Sequence, residues 1–135
     1  MSMTQEKLIK YWKNGAKRDL KTAESLFKTK RYDWCLFIAH LVLEKILKAL
    51  YIQNNGKNVP PKIHNLVKLA ELSSIDLTEE KRIFFDEVND FNLEARYPDY
   101  KNEFYNRCTK KFTEKYFKQI KEYYTWLKSL LEYKK

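Results

Sequence analysis

The run from Tyr32 to Gln53 constrains the fold more than any other part of the chain. It contains no Gly or Pro, and Leu, Ala, Glu and Lys dominate its second half, so its local preference is helical. On a helical projection, Leu36, Ala39, Leu43, Ile46, Leu47 and Leu50 fill one broad side, while Trp34, Ile38, Leu41 and Ile52 cover much of the other. A helix that is apolar nearly all round belongs in the middle of a bundle, because a surface helix keeps one polar face. One narrow polar line interrupts it. His40, Glu44 and Lys48 are spaced i, i+4, i+8, with Tyr51 beside them.

The flanking sequence predicts helices to surround it. Over 4–29, Leu8, Tyr11, Trp12, Ala16, Leu20, Ala23, Leu26 and Phe27 recur at helical spacing, and Gly15 inside this run points to close approach by a neighbour. The central helix is expected over 33–54, with Asp33 as its N-cap and Asn54-Asn55-Gly56 as its left-handed stop. Val59-Pro60-Pro61-Lys62 reads as extended linker, since each proline disfavours α conformation in the residue before it. A short helix follows over 63–73. A fourth is expected over 78–95, with Ile83, Phe84, Val88, Phe91 and Leu93 as its apolar positions and Pro98 as its end. The last, over 103–133, carries one stripe of Phe112, Tyr116, Ile120, Tyr123, Leu127 and Leu130 and a second of Phe117, Tyr124 and Leu131. The expected architecture is an all-α, antiparallel up-and-down bundle of five helices in a single domain over 1–135. The double stripe on the last helix predicts two neighbours, one of them from a second copy, hence a homodimer.

Composition narrows the function classes. Only 2 Gly and 3 Pro are available, too few for a glycine-rich phosphate loop. No apolar run reaches the roughly 18 residues of a membrane span, and the N-terminus lacks a secretory hydrophobic region. Cys35 and Cys108 have no His neighbours and no zinc or disulfide spacing, so no metal site and no cofactor are expected, and a cytoplasmic location with reduced thiols is. The net charge of +9 is unevenly spread: +8 over residues 1–75, −5 over 76–103 and +6 over 104–135. Basic flanks around an acidic middle suit a polyanion, an acidic protein or a second copy, and equally a lysine-rich solvated surface.

The candidate site residues are therefore few. On the polar line, Glu44 and Lys48 can form an internal i, i+4 pair with His40 bonded to a backbone carbonyl. Alternatively the line opens into a groove where Lys45 and Lys48 meet phosphate. His64 follows two prolines at a helix start, where it either caps or joins Lys62 at an anion site. Arg96-Tyr97 either fixes the loop, for example through Glu44, or contacts nucleotide.

Five segments, in this order, carry a family resemblance: Tyr11-Trp12-x3-Ala16-x2-Asp19-Leu20-x2-Ala23-Glu24-x-Leu26-Phe27; Arg31-Tyr32-Asp33-Trp34; Glu44-Lys45-x2-Lys48-Ala49-Leu50; Pro61-x2-His64-x-Leu66-x2-Leu69; and Ala95-Arg96-Tyr97-Pro98-Asp99. Together the chain resembles the HEPN domain (higher eukaryotes and prokaryotes nucleotide-binding) from about residue 8 to 131. The resemblance implies a compact, mostly antiparallel and usually dimeric helical bundle, encoded beside a minimal nucleotidyltransferase. Many such domains are metal-independent RNases built on Arg-x(4–6)-His at the dimer interface. This sequence departs from that pattern: Arg31 precedes His40 by nine positions, and no histidine follows Arg96. Without that imidazole the usual acid–base group is missing. The expected role is a non-catalytic nucleotide- or RNA-binding module working with the nucleotidyltransferase through His40, Glu44, Lys45, Lys48, Lys62, His64, Arg96 and Tyr97. A ribonuclease toxin of a toxin–antitoxin pair with a degenerate site, and a purely structural dimeric partner or inhibitor of the nucleotidyltransferase, stand as alternatives.

Overall fold

The computed structural model describes residues 4–56 and 59–133. Within them the chain forms six helices and no strand: α1 (Gln5–Lys28), α2 (Tyr32–Asn55), α3 (Leu66–Leu72), α4 (Glu79–Arg96), α5 (Pro98–Arg107) and α6 (Lys110–Tyr133). The four long helices alternate in direction. Phe27 at the end of α1 meets Phe117 near the start of α6 at 6.0 Å, and Gln53 at the end of α2 donates to the Leu130 carbonyl near the end of α6. Phe91 and Phe84 of α4 meet Phe112 and Tyr123 of α6 in reverse order. The architecture is thus the expected all-helical up-and-down bundle.

α2 is its axis. From Leu36 through Ile52 it carries most of the core, packed by α1 on one side and by α3, α4 and α6 on the others. The boundary chemistry follows the sequence at several ends. Thr4, Asn65 and Thr78 each accept from the backbone N–H three residues on, and Gly56 stops α2 at φ 65°. Gly15 is buried where α1 meets α2, and a Cβ added there would lie 3.3 Å from the Lys45 Cδ.

Four expectations change. Asp33 does not cap α2: the Arg31 carbonyl already accepts from the Cys35 N–H, so the helix starts at Tyr32 and Asp33 falls in its first turn. α3 starts later than 63, at Leu66, because Asn65 caps it and His64 is held elsewhere. Pro98 does not end the α4 region in a loop. Tyr97 alone is extended (φ −96°, ψ 129°), and Pro98 opens α5, where a missing N–H costs nothing. The expected last helix is broken at Cys108, after which Thr109 caps α6 by accepting from the Phe112 N–H at 3.2 Å.

Two apolar assignments also change. Ile83 and Leu93 of α4 face outward, and Phe85, unassigned by periodicity, takes the core position at 0 % exposure. On α6, Tyr124 and Leu131 are buried within this one chain, at 6 % and 7 % exposure. The second stripe therefore does not require a second copy to cover it.

Replacing Gly15 with Ala is expected to raise stability by up to about 1 kcal/mol, because helix propensity improves and only the flexible Lys45 side chain must shift. Urea unfolding measures this. A loss of stability would mean that α1 and α2 approach too closely there for a methyl group.

Candidate functional site

The polar line of α2 lies inside the bundle: His40, Glu44 and Lys48 are 0 %, 5 % and 6 % exposed. Helical spacing stacks them one turn apart, and the Lys48 Nζ reaches back to the Glu44 Oε2 at 2.9 Å. The Lys48 ammonium also sits 5.3 Å from the centre of the Trp12 ring on α1, a cation–π contact that further occupies it. A buried carboxylate needs every donor it can gather.

The second donor comes from the segment after Pro61. His64 donates from Nδ1 to both Glu44 oxygens, at 3.0 and 3.1 Å, while its ring stays largely exposed, at 58 %. Its main-chain carbonyl accepts from the His40 Nε2 at 3.0 Å. This assigns the proton of His40 to Nε2, so its Nδ1 is an acceptor, and the Asn92 Nδ2 of α4 donates to it at 3.4 Å. The Glu44 Oε1 lies 3.8 Å from that Nδ1, beyond hydrogen-bonding distance. One residue on from Asn65, the Leu66 N–H donates to the Asn89 Oδ1 at 2.8 Å, pinning the same segment to α4.

Burial holds His40 neutral and lowers its pKa from 6.5 to about 4; the nearby Glu44 carboxylate opposes this but does not win. The two thiols are also quiet. Burial pushes Cys35 and Cys108 up to about 12, which removes the thiolate a nucleophile would need.

Of the residues singled out in the sequence, four form one connected network: His40, Glu44, Lys48 and His64. Arg96 joins it at one remove, donating from Nε to the Asn92 carbonyl at 3.1 Å, and not to Glu44. Its guanidinium lies 5.7 Å from the Tyr97 ring centre, and both residues are exposed. Lys62 is exposed in the same connecting segment as His64. Lys45 turns the other way, into a 2.7 Å ion pair with Asp19 of α1. The reading of Glu44 and Lys48 as an internal pair, with His40 on a carbonyl, is the arrangement found. Asn89 and Asn92 were not singled out, although two asparagines i, i+3 apart in an apolar helix stripe are a readable sign of buried polar partners.

Two outcomes follow. Because folded His40 stays neutral while the unfolded imidazole titrates at 6.5, its contribution to stability is complete above pH 6.5. It is lost progressively as pH falls toward 4. Between pH 7.5 and 5 the wild type should lose about 2 kcal/mol more than His40→Gln, read by urea unfolding at each pH. An equal pH dependence would show that His40 is not held neutral. Separately, Lys48→Ala should cost on the order of 3–5 kcal/mol, the scale for unpairing one member of a buried ion pair. A melting temperature within a degree or two of wild type would contradict the pairing.

A search of curated proteins and of solved structures returned no match for this chain. A family model described as HEPN domain matches residues 9–130, a span that includes all six helices in whole or in large part and the whole of the network just described. The chain belongs to the HEPN domain family.

Proposed function

We propose that this HEPN domain binds the phosphate-bearing part of a nucleotide or RNA at the rim formed by His64, Lys62, Arg96 and Tyr97. In this reading His40, Glu44 and Lys48 act beneath the rim as its support, and Lys45 braces α2 against α1. The observation that carries it is the link between two exposed groups. The His64 imidazole is fixed through Nδ1 by a buried carboxylate, and His40 and Asn92 join the His64 backbone to the Arg96 side chain. Fixing exposed donors from inside lowers the entropy lost when an anion arrives. The domain would act in the cytoplasm with a separate minimal nucleotidyltransferase that carries the metal and the chemistry. Support for a homodimer moves from α6 to the α4–α5 corner, where Leu93, Tyr97 and Tyr100 stand 44 %, 48 % and 47 % exposed.

A second reading, ribonuclease activity, is favoured by the same histidine. A carboxylate on Nδ1 with the rest of the ring exposed is the arrangement that prepares an imidazole for proton transfer at Nε2. The sequence pattern had pointed away from this, because His64 precedes Arg96 by 32 positions rather than following it.

Titration of ATP and of a short RNA against wild type, Arg96→Ala and His64→Ala separates the outcomes. Arg96→Ala should weaken binding roughly 10- to 100-fold, the scale of a charge-assisted hydrogen bond. Wild-type affinity should fall as salt rises. Unchanged affinity in both variants would end the rim as a binding site. A gel assay on the same RNA decides between the readings: intact RNA fits a binding module, and cleavage lost in His64→Ala fits the ribonuclease.

A further inference from the structure

A groove runs along the bundle between α1 and α6. Both helices pack on α2, but α1 rests almost wholly on α2 and hardly touches α6, so the two edges stand apart. Where α1 finishes and α6 begins, the groove holds a cavity of about 380 Å³, within the roughly 300–1,000 Å³ range of binding pockets. Its floor is aromatic: Phe27 is half-buried and Phe117 is 4 % exposed, with ring centres 6.0 Å apart. Glu24 and Lys28 of α1 and Glu114, Lys118 and Lys121 of α6 form the walls. The cavity shares no residue with the His64–Arg96 rim.

The lysines are the informative members. None of the ion pairs formed among the described residues involves Lys28, Lys118 or Lys121, although Glu24 and Glu114 stand on the same walls. Lys28 and Lys118 are exposed, and the Lys121 ammonium rests 4.6 Å from the centre of the Phe117 ring. That contact leaves the ammonium open to a carboxylate, which is a stronger partner than a ring face. Lys17 and Lys128 lie seven residues, two helical turns, along from Glu24 and Lys121 and continue the same two edges. From Lys17 to Lys28 the α1 edge measures about 16 Å, or roughly three turns of helix. The groove is thus cationic at its edges and apolar beneath.

We infer that this groove seats an acidic amphipathic helix of a partner protein, its apolar side chains on Phe27 and Phe117 and its carboxylates on Lys28, Lys118 and Lys121. The valley between two helices supported by a third is the shape that another helix fills, with apolar anchors at i, i+3, i+4 and i+7. Charge decides among the occupants. A second copy carries the same net charge of +9, and like charges repel as two copies approach. A nucleic acid presents a phosphate at every step, and some of these would have to lie against Glu24 and Glu114. A peptide can set carboxylates opposite the lysines and neutral or basic residues opposite the two acids. An acidic helix also gains from the attraction of the whole chain, which speeds its encounter with the groove.

The test titrates the full chain into a labelled peptide of about 15 residues, long enough for the groove, and reads fluorescence anisotropy. The peptide carries leucine at i, i+3, i+4 and i+7, glutamate at the flanking positions and alanine elsewhere. It should bind, and its affinity should fall as salt rises. Lys28→Glu and Lys118→Glu change exposed side chains only, and each should weaken binding roughly 10-fold while the melting curve stays that of wild type. A peptide with lysine for glutamate should not bind, and one with serine for leucine should bind at least roughly 10-fold more weakly. Arg96→Ala should leave binding unchanged, which separates the groove from the His64–Arg96 rim. No binding of the acidic peptide, equal binding of the serine peptide, or binding untouched by both lysine variants would overturn the assignment. So would single-stranded RNA that binds more tightly than the peptide and loses that affinity in Lys118→Glu, which makes the occupant a nucleic acid. Self-association of the chain that is lost in Lys118→Glu would overturn it too, in favour of a second copy.

Discussion

The arrangement of this bundle depends on where the Glu44 carboxylate finds its donors. A carboxylate left alone in a protein interior is costly enough that the chain must bring partners to it. Lys48 is available at no topological cost, one turn along the same helix. The second donor, the His64 Nδ1, has to come from a separate part of the chain, and so the segment after Pro61 runs back along α2 instead of leaving the bundle. That return places the His64 carbonyl over His40 and the Leu66 N–H against Asn89, which ties α3 and α4 to the same face of α2. One acidic side chain thus coordinates three elements. Directional polar contacts of this kind select one packing among the several that apolar helices of similar size would allow.

The same arrangement divides the charged residues into two layers. Inside, Glu44 is neutralised by Lys48 and His64, and His40 is held uncharged, so the core carries polar groups without carrying unbalanced charge. Outside, the His64 ring, Lys62 and Arg96 remain exposed to solvent, the His64 ring fixed from beneath by Glu44 and Arg96 bonded to the Asn92 carbonyl one turn back in α4. At the N-terminal end of α2 the balance is different. There Asp33 lies on the wall of an open cleft that three cations, Lys30, Arg31 and Lys101, also line. A satisfied interior network accounts for itself as structure. Both groups of residues share α2 as a rigid support, and a helix packed on all sides holds the geometry of what it carries.

Much of this was legible in the order of residues. The spacing of apolar side chains identified the helical class, the central place of α2 and most helix spans, because a 3.6-residue period is a local property that needs no partner to be read. The i, i+4, i+8 line made the Glu44–Lys48 pair foreseeable for the same reason. Where competing local signals met, tertiary contacts chose between them. Pro98 could stop one helix or start the next, and the burial of Phe104 at 0 % exposure on the following turns draws the chain into α5. Ile83 and Phe85 are both apolar, and only the ring contact between Phe85 and Tyr123 of α6 settles which of them is inside.

The site shows the limit most clearly. The sequence by itself determined that His40, Glu44 and Lys48 share a helix face, and that His64 and Arg96 exist as candidates of the right chemistry. It could not determine that His64 meets Glu44 across 20 positions, that Asn92 meets His40 across 52, or that Asp33 and Lys101 line one cleft. Those juxtapositions depend on the relative placement of whole helices, which is decided by the summed packing of side chains far apart in the chain. No local period carries that information, so only the tertiary structure decided which polar groups are paired with one another and which face solvent.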